Sequence, residues 1–185
     1  MFTIEEYKEA VCYFASSHKD FMIKNEGNDC ARIILSNIFL NATKTLRIVA
    51  NNLRNEVVDS KEYQDGLDSF LSRDGSVLKI IINELPDNVT EDSNANIYRR
   101  LSRNPAYQTG RIQIKTSGKN LFFLKDKPIH FCVSDSIMYR VEDDIVKRMA
   151  ICNFGDSKLA ERLESAFDAA FNSIQGMVEL KKLFE

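Results

Sequence analysis

The chain has no tryptophan, and its 185 residues include only three prolines, seven glycines and two histidines. So little proline and glycine excludes collagen-like and low-complexity architectures, which need those residues in bulk. An excess of one charge is also missing, because 25 basic residues stand against 27 acidic ones for a formal net charge of -2. That balance gives no global electrostatic footprint for nucleic acid or an anionic membrane. Cys12, Cys30, Cys132 and Cys152 lie far apart with no C-x-x-C pair, and His18 and His130 are isolated from each other. Ligands so dispersed exclude a zinc-finger pattern; no metal and no cofactor is expected, and the thiols are read as reduced in a cytoplasmic protein. Nowhere do ~18 apolar residues run together, and the first six residues lack a basic stretch followed by an apolar one, so no membrane association is expected.

What is present is 44% hydrophobic and 28% charged sequence, mixed along the chain rather than segregated into blocks. This is the composition of a globular protein with a core, and a single domain of this length buries roughly 70% of the surface its unfolded chain would expose. One domain over residues 1–185 is expected. Ile4, Tyr7, Val11 and Phe14 recur at helical spacing behind a Thr3…Glu6 capping box. They predict a first helix over 3–24, an accessory element ended by Gly27 and Asn28. Asp29 is placed to cap a second helix with Ile34, Leu35, Ile38, Phe39 and Ala42 on one face, leading into a strand over 46–50.

A third helix through Tyr63, Leu67, Phe70 and Leu71 ends at Asp74-Gly75, ahead of the most apolar strand, 77–82. A helix between two buried strands is a βαβ crossover and implies a parallel pair. Pro86, Asp87, Asn88, Asp92, Ser93 and Asn94 make 83–95 a polar loop, followed by a short helix from Ile97 to Leu101. After Gly110 the period changes to two, predicting strands over 111–116, 121–124, 128–135, 137–141 and 149–153. Asp135-Ser136 joins two of these as a tight antiparallel hairpin. Gly155-Asp156-Ser157 caps a last helix with an apolar stripe through Leu159, Leu163, Phe167, Ala170, Phe171 and Ile174. Met177, Val178, Leu180, Leu183 and Phe184 prolong that stripe, which reads as core packing or, alternatively, as a dimer surface. The expected class is α/β, a mixed β-sheet flanked by helices.

Two segments carry chemistry. Arg99, Arg100, Arg103, Arg111 and Lys115, interleaved with Tyr98 and Tyr107, form either a patch for a phosphate-bearing ligand or a solvated helix end and strand. Along residues 128–135 the alternation puts Ile129, Phe131 and Val133 on one face and His130, Cys132 and Ser134 on the other. The returning strand brings Tyr139, Arg140 and Glu142 towards the same neighbourhood, and Asn153 ends the strand after it. A histidine beside a carboxylate and an arginine suits acid-base chemistry or phosphate binding; a hydrogen-bonded histidine at a sheet end is the structural alternative. His130 and Cys132 are roughly 6 to 7 Å apart at Cβ, too far for direct proton transfer, so Cys132 is assigned to core or subunit contact. His18, on the polar side of the first helix, is read as solvated.

Over residues 29–175 the order of elements, a hairpin opening on an apolar-flanked histidine, an Asp at its turn and an Asn at a strand end resembles one repeat of the phospholipase D-like superfamily. That family's signature is His-x-Lys-x-x-x-x-Asp on the hairpin's first strand and a Gly-Ser-x-Asn-like sequence on a later one. Two such motifs, from two repeats or two subunits, build one site, with histidines as nucleophile and general acid and Lys and Asn holding phosphate. With Asp135 as the family's Asp, Pro128 falls at the histidine and His130 at the lysine; the later strand, Ala150-Ile151-Cys152-Asn153, matches only at Asn153. With His130 as the histidine, Cys132 replaces the lysine and Ile137 the aspartate.

Neither register keeps the motif, and loss of the lysine removes a principal clamp on phosphate charge. The resemblance therefore implies the fold and argues against the family's reaction. The expected function is a non-catalytic binding or interaction module, homodimeric or paired with another protein, within a bacterial multi-protein system. His130, Asp135, Arg140, Glu142 and Asn153 would form its relic pocket or interface network. The alternative is an atypical phosphodiesterase or nuclease with His130 as nucleophile or general base and Arg140 as phosphate clamp. A third expectation is the accessory half of a toxin or defence complex.

Overall fold

The computed structural model describes residues 3–90 and 96–185, so Met1, Phe2 and the loop residues Asp92, Ser93 and Asn94 lie outside the described residues. The first helix, α1 (Ile4–Ser16), begins with the reciprocal Thr3–Glu6 capping box that its sequence announces. It is shorter than the expected 3–24. The hydroxyls of Ser16 and Ser17 both donate to the Tyr13 carbonyl, and His18 adopts a left-handed φ of 47°. Side-chain bonds of this kind compete with the helical ladder. The freed chain forms an edge strand, β1 (Ile23–Asn25), antiparallel to the last strand of the sheet.

Next come α2 (Gly27–Asn41) and β2 (Thr45–Ala50), then α3 (Lys61–Leu71) and β3 (Val77–Ile82). Asp29 falls inside the first turn of α2, paired with Arg32, rather than at its cap. Gly66 lets α3 lie against α2, because a Cβ there would sit 3.3 Å from the Ser36 backbone. Two short helices, α4 (Ile97–Arg103) and α5 (Pro105–Gln108), lead to β4 (Ile112–Thr116). β2, β3 and β4 are mutually parallel, as the crossover argument requires.

The expected strand over 121–124 does not join the main sheet. Phe123–Leu124 (β5) and Lys127–Pro128 (β6) form a separate ribbon, turned by Lys125 and Asp126 at positive φ. Pro128 has no N–H to continue a ladder, so the strand expected over 128–135 is broken there and restarts as β7 (His130–Ser134). β7 returns as β8 (Met138–Asp144) through Asp135 and Ser136, whose φ values of 51° and 57° are those of the predicted tight hairpin. β9 (Met149–Asn153) and α6 (Ser157–Ser173) complete the order β1-β9-β8-β7-β2-β3-β4.

The face covered by α1 to α4 buries Ile34, Phe39, Leu46, Phe70 and Tyr98, whereas the face under α6 buries Val49, Phe131, Tyr139 and Phe167. Beyond α6 the tail hooks over the β4 edge, where Val178 N–H donates to the Ile114 carbonyl at 2.8 Å. It ends on the opposite face, with Leu180 fully buried and Leu183 and Phe184 packed on that core. Of the apolar continuation after α6, Val178, Leu180, Leu183 and Phe184 are core packing, whereas Met177 is exposed. Among the described residues no helix is long and apolar enough to cross a membrane.

Candidate functional site

Cross-strand register assembles the site. Neighbours opposite one another in a sheet share a face, and here His130 lies opposite Glu142, Glu142 opposite Ala150, and Ala150 opposite Asn25. One row further into the sheet, Ile48, Cys132, Arg140 and Cys152 are aligned in the same way. The two rows bring His130 Nδ1 to 3.6 Å from Glu142 Oε2, and Arg140 to 3.3 Å from Glu142 Oε1. Arg148, from the turn before β9, reaches Glu142 Oε2 at 3.4 Å.

Glu142 and Arg140 are 2% and 5% exposed, so both charges depend on each other rather than on water. Burial acts to raise the Glu142 pKa, but contact with His130 and the positive charges of Arg140 and Arg148 outweigh it and hold the carboxyl below its ordinary value. The Arg140 guanidinium makes four hydrogen bonds within the cluster. Nε donates to Asn25 Oδ1 at 3.2 Å, and NH2 donates both to Glu142 and to the Arg148 carbonyl at 3.3 Å. Burial pushes the thiols of Cys132 and Cys152 up to about 12 against the pull of Arg140, so neither offers a thiolate at neutral pH.

A cavity of about 310 Å³ opens beside this cluster, walled by α2, by the loop after β2 and by β7 and β8. It lies at the carboxyl end of β2, where ligands of open α/β sheets collect. Its polar wall carries His130, Arg140, Glu142, Arg148 and Arg54, and its apolar wall Ala31, Leu35, Val57, Val58 and Tyr63. Arg140 and Arg148 share the Glu142 carboxylate, whereas Arg54 acts on Asp59. The loop is held in an unusual shape, with buried Leu53 at a left-handed φ of 54°, a conformation that costs a bulky residue about 1–3 kcal/mol. Tyr98 OH, donating to the Asn52 carbonyl at 2.6 Å, and Arg54 N–H, donating to Asn52 Oδ1 at 3.1 Å, fix that shape. Beside it the amides of Asn51, Asn83 and Asn120 are linked in a hydrogen-bonded row.

His130, Arg140 and Glu142 are therefore brought together, whereas Asp135 and Asn153 are not. Asp135 is five residues along β7 from His130, about 16 Å at the strand rise. Its carboxylate accepts from the backbone N–H groups of Thr43, Lys44 and Thr45 and from the Thr43 hydroxyl, fixing the entry to β2. Asn153 pairs across the sheet with Tyr139, and its side chain donates to Asp20 and accepts from Gly155 N–H. Gly155 has no room for a side chain, since a Cβ would lie 2.6 Å from Asp20 N and 2.8 Å from Lys19 C. Ser134 is completely buried, and His18 is exposed at the end of α1.

The basic segment 98–115 is divided among separate tertiary contacts. Arg100 bonds Asp68 at 2.9 Å, Arg111 donates to the carbonyls of Leu71, Arg73 and Ser76, and Lys115 caps α6 at the carbonyls of Phe171 and Ile174. Arg99 stacks on the Phe184 ring at 4.5 Å, and Arg103 is exposed. Asn25, Arg54 and Arg148 were not singled out from sequence. Asn25 lies between the end of the expected first helix and its Gly27-Asn28 break, and the two arginines sit in loops whose pattern carries no period. Among the described residues no group of three or more His, Cys, Asp or Glu is placed to hold a metal ion.

No family model matches this sequence, and no curated protein does. Solved structures do. The chain is similar to Nuc from Salmonella typhimurium, a phospholipase D family member, with TM-score 0.56 and 15% identity over 85% of this chain and 97% of that one. It is similar to NucT from Helicobacter pylori, with TM-score 0.55 and 11% identity over 85% and 99%. A phosphatidylserine synthase from Haemophilus influenzae gives TM-score 0.56 and 13% identity over 89% of this chain and 41% of that one. The protein has the phospholipase D-like fold.

Proposed function

We propose that this chain is a non-catalytic phospholipase D-like module that binds a phosphate-bearing ligand in the cavity beside His130 and works as a homodimer. The observation that carries this reading is the state of Arg140. With the family's lysine missing in either register, Arg140 is the cation nearest the motif, yet its guanidinium is buried and occupied by Asn25, Glu142 and the Arg148 carbonyl. A clamp for a transferring phosphoryl group needs donors aimed at the reacting oxygens. Arg148, its side chain 26% exposed, lines the cavity and is the cation placed to meet an anion there. Support for pairing comes from the resemblance, since the family builds each site from two motifs, supplied by two repeats or two subunits.

One observation favours the alternative phosphodiesterase. His130 turns Nδ1 to Glu142, the arrangement that orients an imidazole for attack or proton transfer through Nε2. Hydrolysis of bis-p-nitrophenyl phosphate and of single- and double-stranded DNA by wild type and His130→Ala, with native mass on the same preparation, separates the two. The expected result is a dimer with no turnover. Turnover that disappears in His130→Ala would establish the enzyme instead.

A further inference from the structure

The ribbon formed by β5 and β6 stands apart from the main sheet, with Phe123 opposite Pro128, Leu124 opposite Lys127, and Lys125 and Asp126 at the turn. Its root is anchored. The Phe122 ring packs edge-on against Phe131 at 5.0 Å, and Ile129 N–H donates to the Phe122 carbonyl at 3.0 Å. Beyond that root, Phe123 and Leu124 are left 57% and 49% exposed. Successive residues of a strand point to opposite faces, so these two side chains project from the two sides of the ribbon. A protein groove or a stacked base covers one side and leaves the other in water. A fluid apolar phase surrounds both.

Charge narrows the choice further. Lys119, Lys125 and Lys127 are exposed about this tip against one anion, Asp126, a local excess of two positive charges. The net charge of -2 hides it, since a sum over the whole chain reports nothing about one ribbon. Lysine suits a boundary between water and an apolar phase, because its stem lies along apolar material while the ammonium stays hydrated. We propose that the β5–β6 ribbon docks on an anionic lipid surface, with Phe123 and Leu124 entering the layer between headgroups and acyl chains and the three lysines meeting the headgroups. Long apolar runs and leaders mark chains that cross a bilayer, and a ribbon that rests on one needs neither. Two side chains bury little apolar surface, so the docking is shallow and reversible.

The chain has no tryptophan, so Phe123→Trp places a single fluorescent reporter at the tip. Its emission is followed on titration with vesicles of phosphatidylcholine alone or mixed with phosphatidylserine. Wild type is floated with the same vesicles, because tryptophan itself favours interfaces. The expected result is flotation of wild type with mixed vesicles, a blue shift of the reporter on them, and binding about tenfold or more tighter than to phosphatidylcholine alone. Added salt weakens it. Lys125→Glu combined with Lys127→Glu abolishes the preference for mixed vesicles, and Leu124→Ser weakens binding by about tenfold; all three positions are exposed, and circular dichroism checks that each variant is folded. Folded wild type that stays unbound overturns the proposal, and so does equal binding to both kinds of vesicle. A lysine double variant that binds mixed vesicles as tightly as wild type overturns it as well. An emission change with single-stranded DNA and none with vesicles would make the ribbon a nucleic-acid surface instead.

Discussion

Under α6, Arg47 and Lys79 meet Glu164 and Asp168, two cations against two anions. Arg47 grips Asp168 through two nitrogens at 3.1 and 2.8 Å and Glu164 through a third at 2.9 Å. Glu164 also accepts from Ser136 backbone and hydroxyl. On the opposite face Arg140 and Arg148 share one carboxylate, Glu142, and Arg54 lines the same cavity. The first cluster is neutral and ties a helix to the sheet. The second has an excess of cations beside empty space, which an anion would balance. Charge balance, more than the presence of charge, distinguishes the two clusters on one sheet.

The comparison is open to direct attack. Glu142→Gln removes the carboxylate that Arg140 and Arg148 share and leaves buried guanidinium charge unpaired, which costs about 3–5 kcal/mol of unfolding free energy by urea titration. Asp135→Ala comes next, because three backbone N–H groups lose a charged acceptor at a partly solvated site; about 2 kcal/mol is expected by the same measurement. The smallest change is Asp168→Asn. Its side chain is 33% exposed and Arg47 keeps Glu164, so the cost is about 1 kcal/mol or less. If Asp168→Asn proved as damaging as Glu142→Gln, the distinction between the two clusters would collapse.

Acid sharpens the same contrast. For Glu142 and Asp168 burial raises the pKa, but cations outweigh it and the folded value lies below the ordinary one, 4.5 and 3.8 respectively. Each carboxyl therefore contributes stability above its unfolded pKa, and loses it as pH falls through the folded value. Stability followed from pH 6 to 2 should fall in wild type and fall less in Glu142→Gln, which has no proton to take up at that position. An unchanged acid slope would show that Glu142 is not held ionised by its arginines.

Much of the fold was legible because periodicity reports local geometry. The crossover from β2 to β3, the Asp135-Ser136 hairpin, and α6 with its Asp156 cap all appear where apolar spacing and turn residues put them. The errors fall where local signals compete. The helical spacing stops at Phe14 and the first breakers are Gly27 and Asn28, so the expected helix was carried up to the segment that becomes β1, whereas Ser16 and Ser17 bond back to Tyr13 and end it earlier. Pro128 was read inside a strand it interrupts, although its missing N–H was visible in the sequence.

Of the candidate site, the sequence by itself determined that His130, Arg140 and Glu142 share one neighbourhood, because a tight hairpin turn fixes which residues face each other. It also determined that the family's lysine is missing. The tertiary structure alone decided that Asn25 completes the cluster from an edge strand more than a hundred residues away, that Arg148 joins it, and that Asp135 and Asn153 belong to other contacts. It also decided that Arg140 is buried and occupied rather than free to meet a phosphate. The physical reason is range. Turn geometry is set by a few adjacent residues, whereas sheet order and the burial of a charge depend on which distant segments pack together.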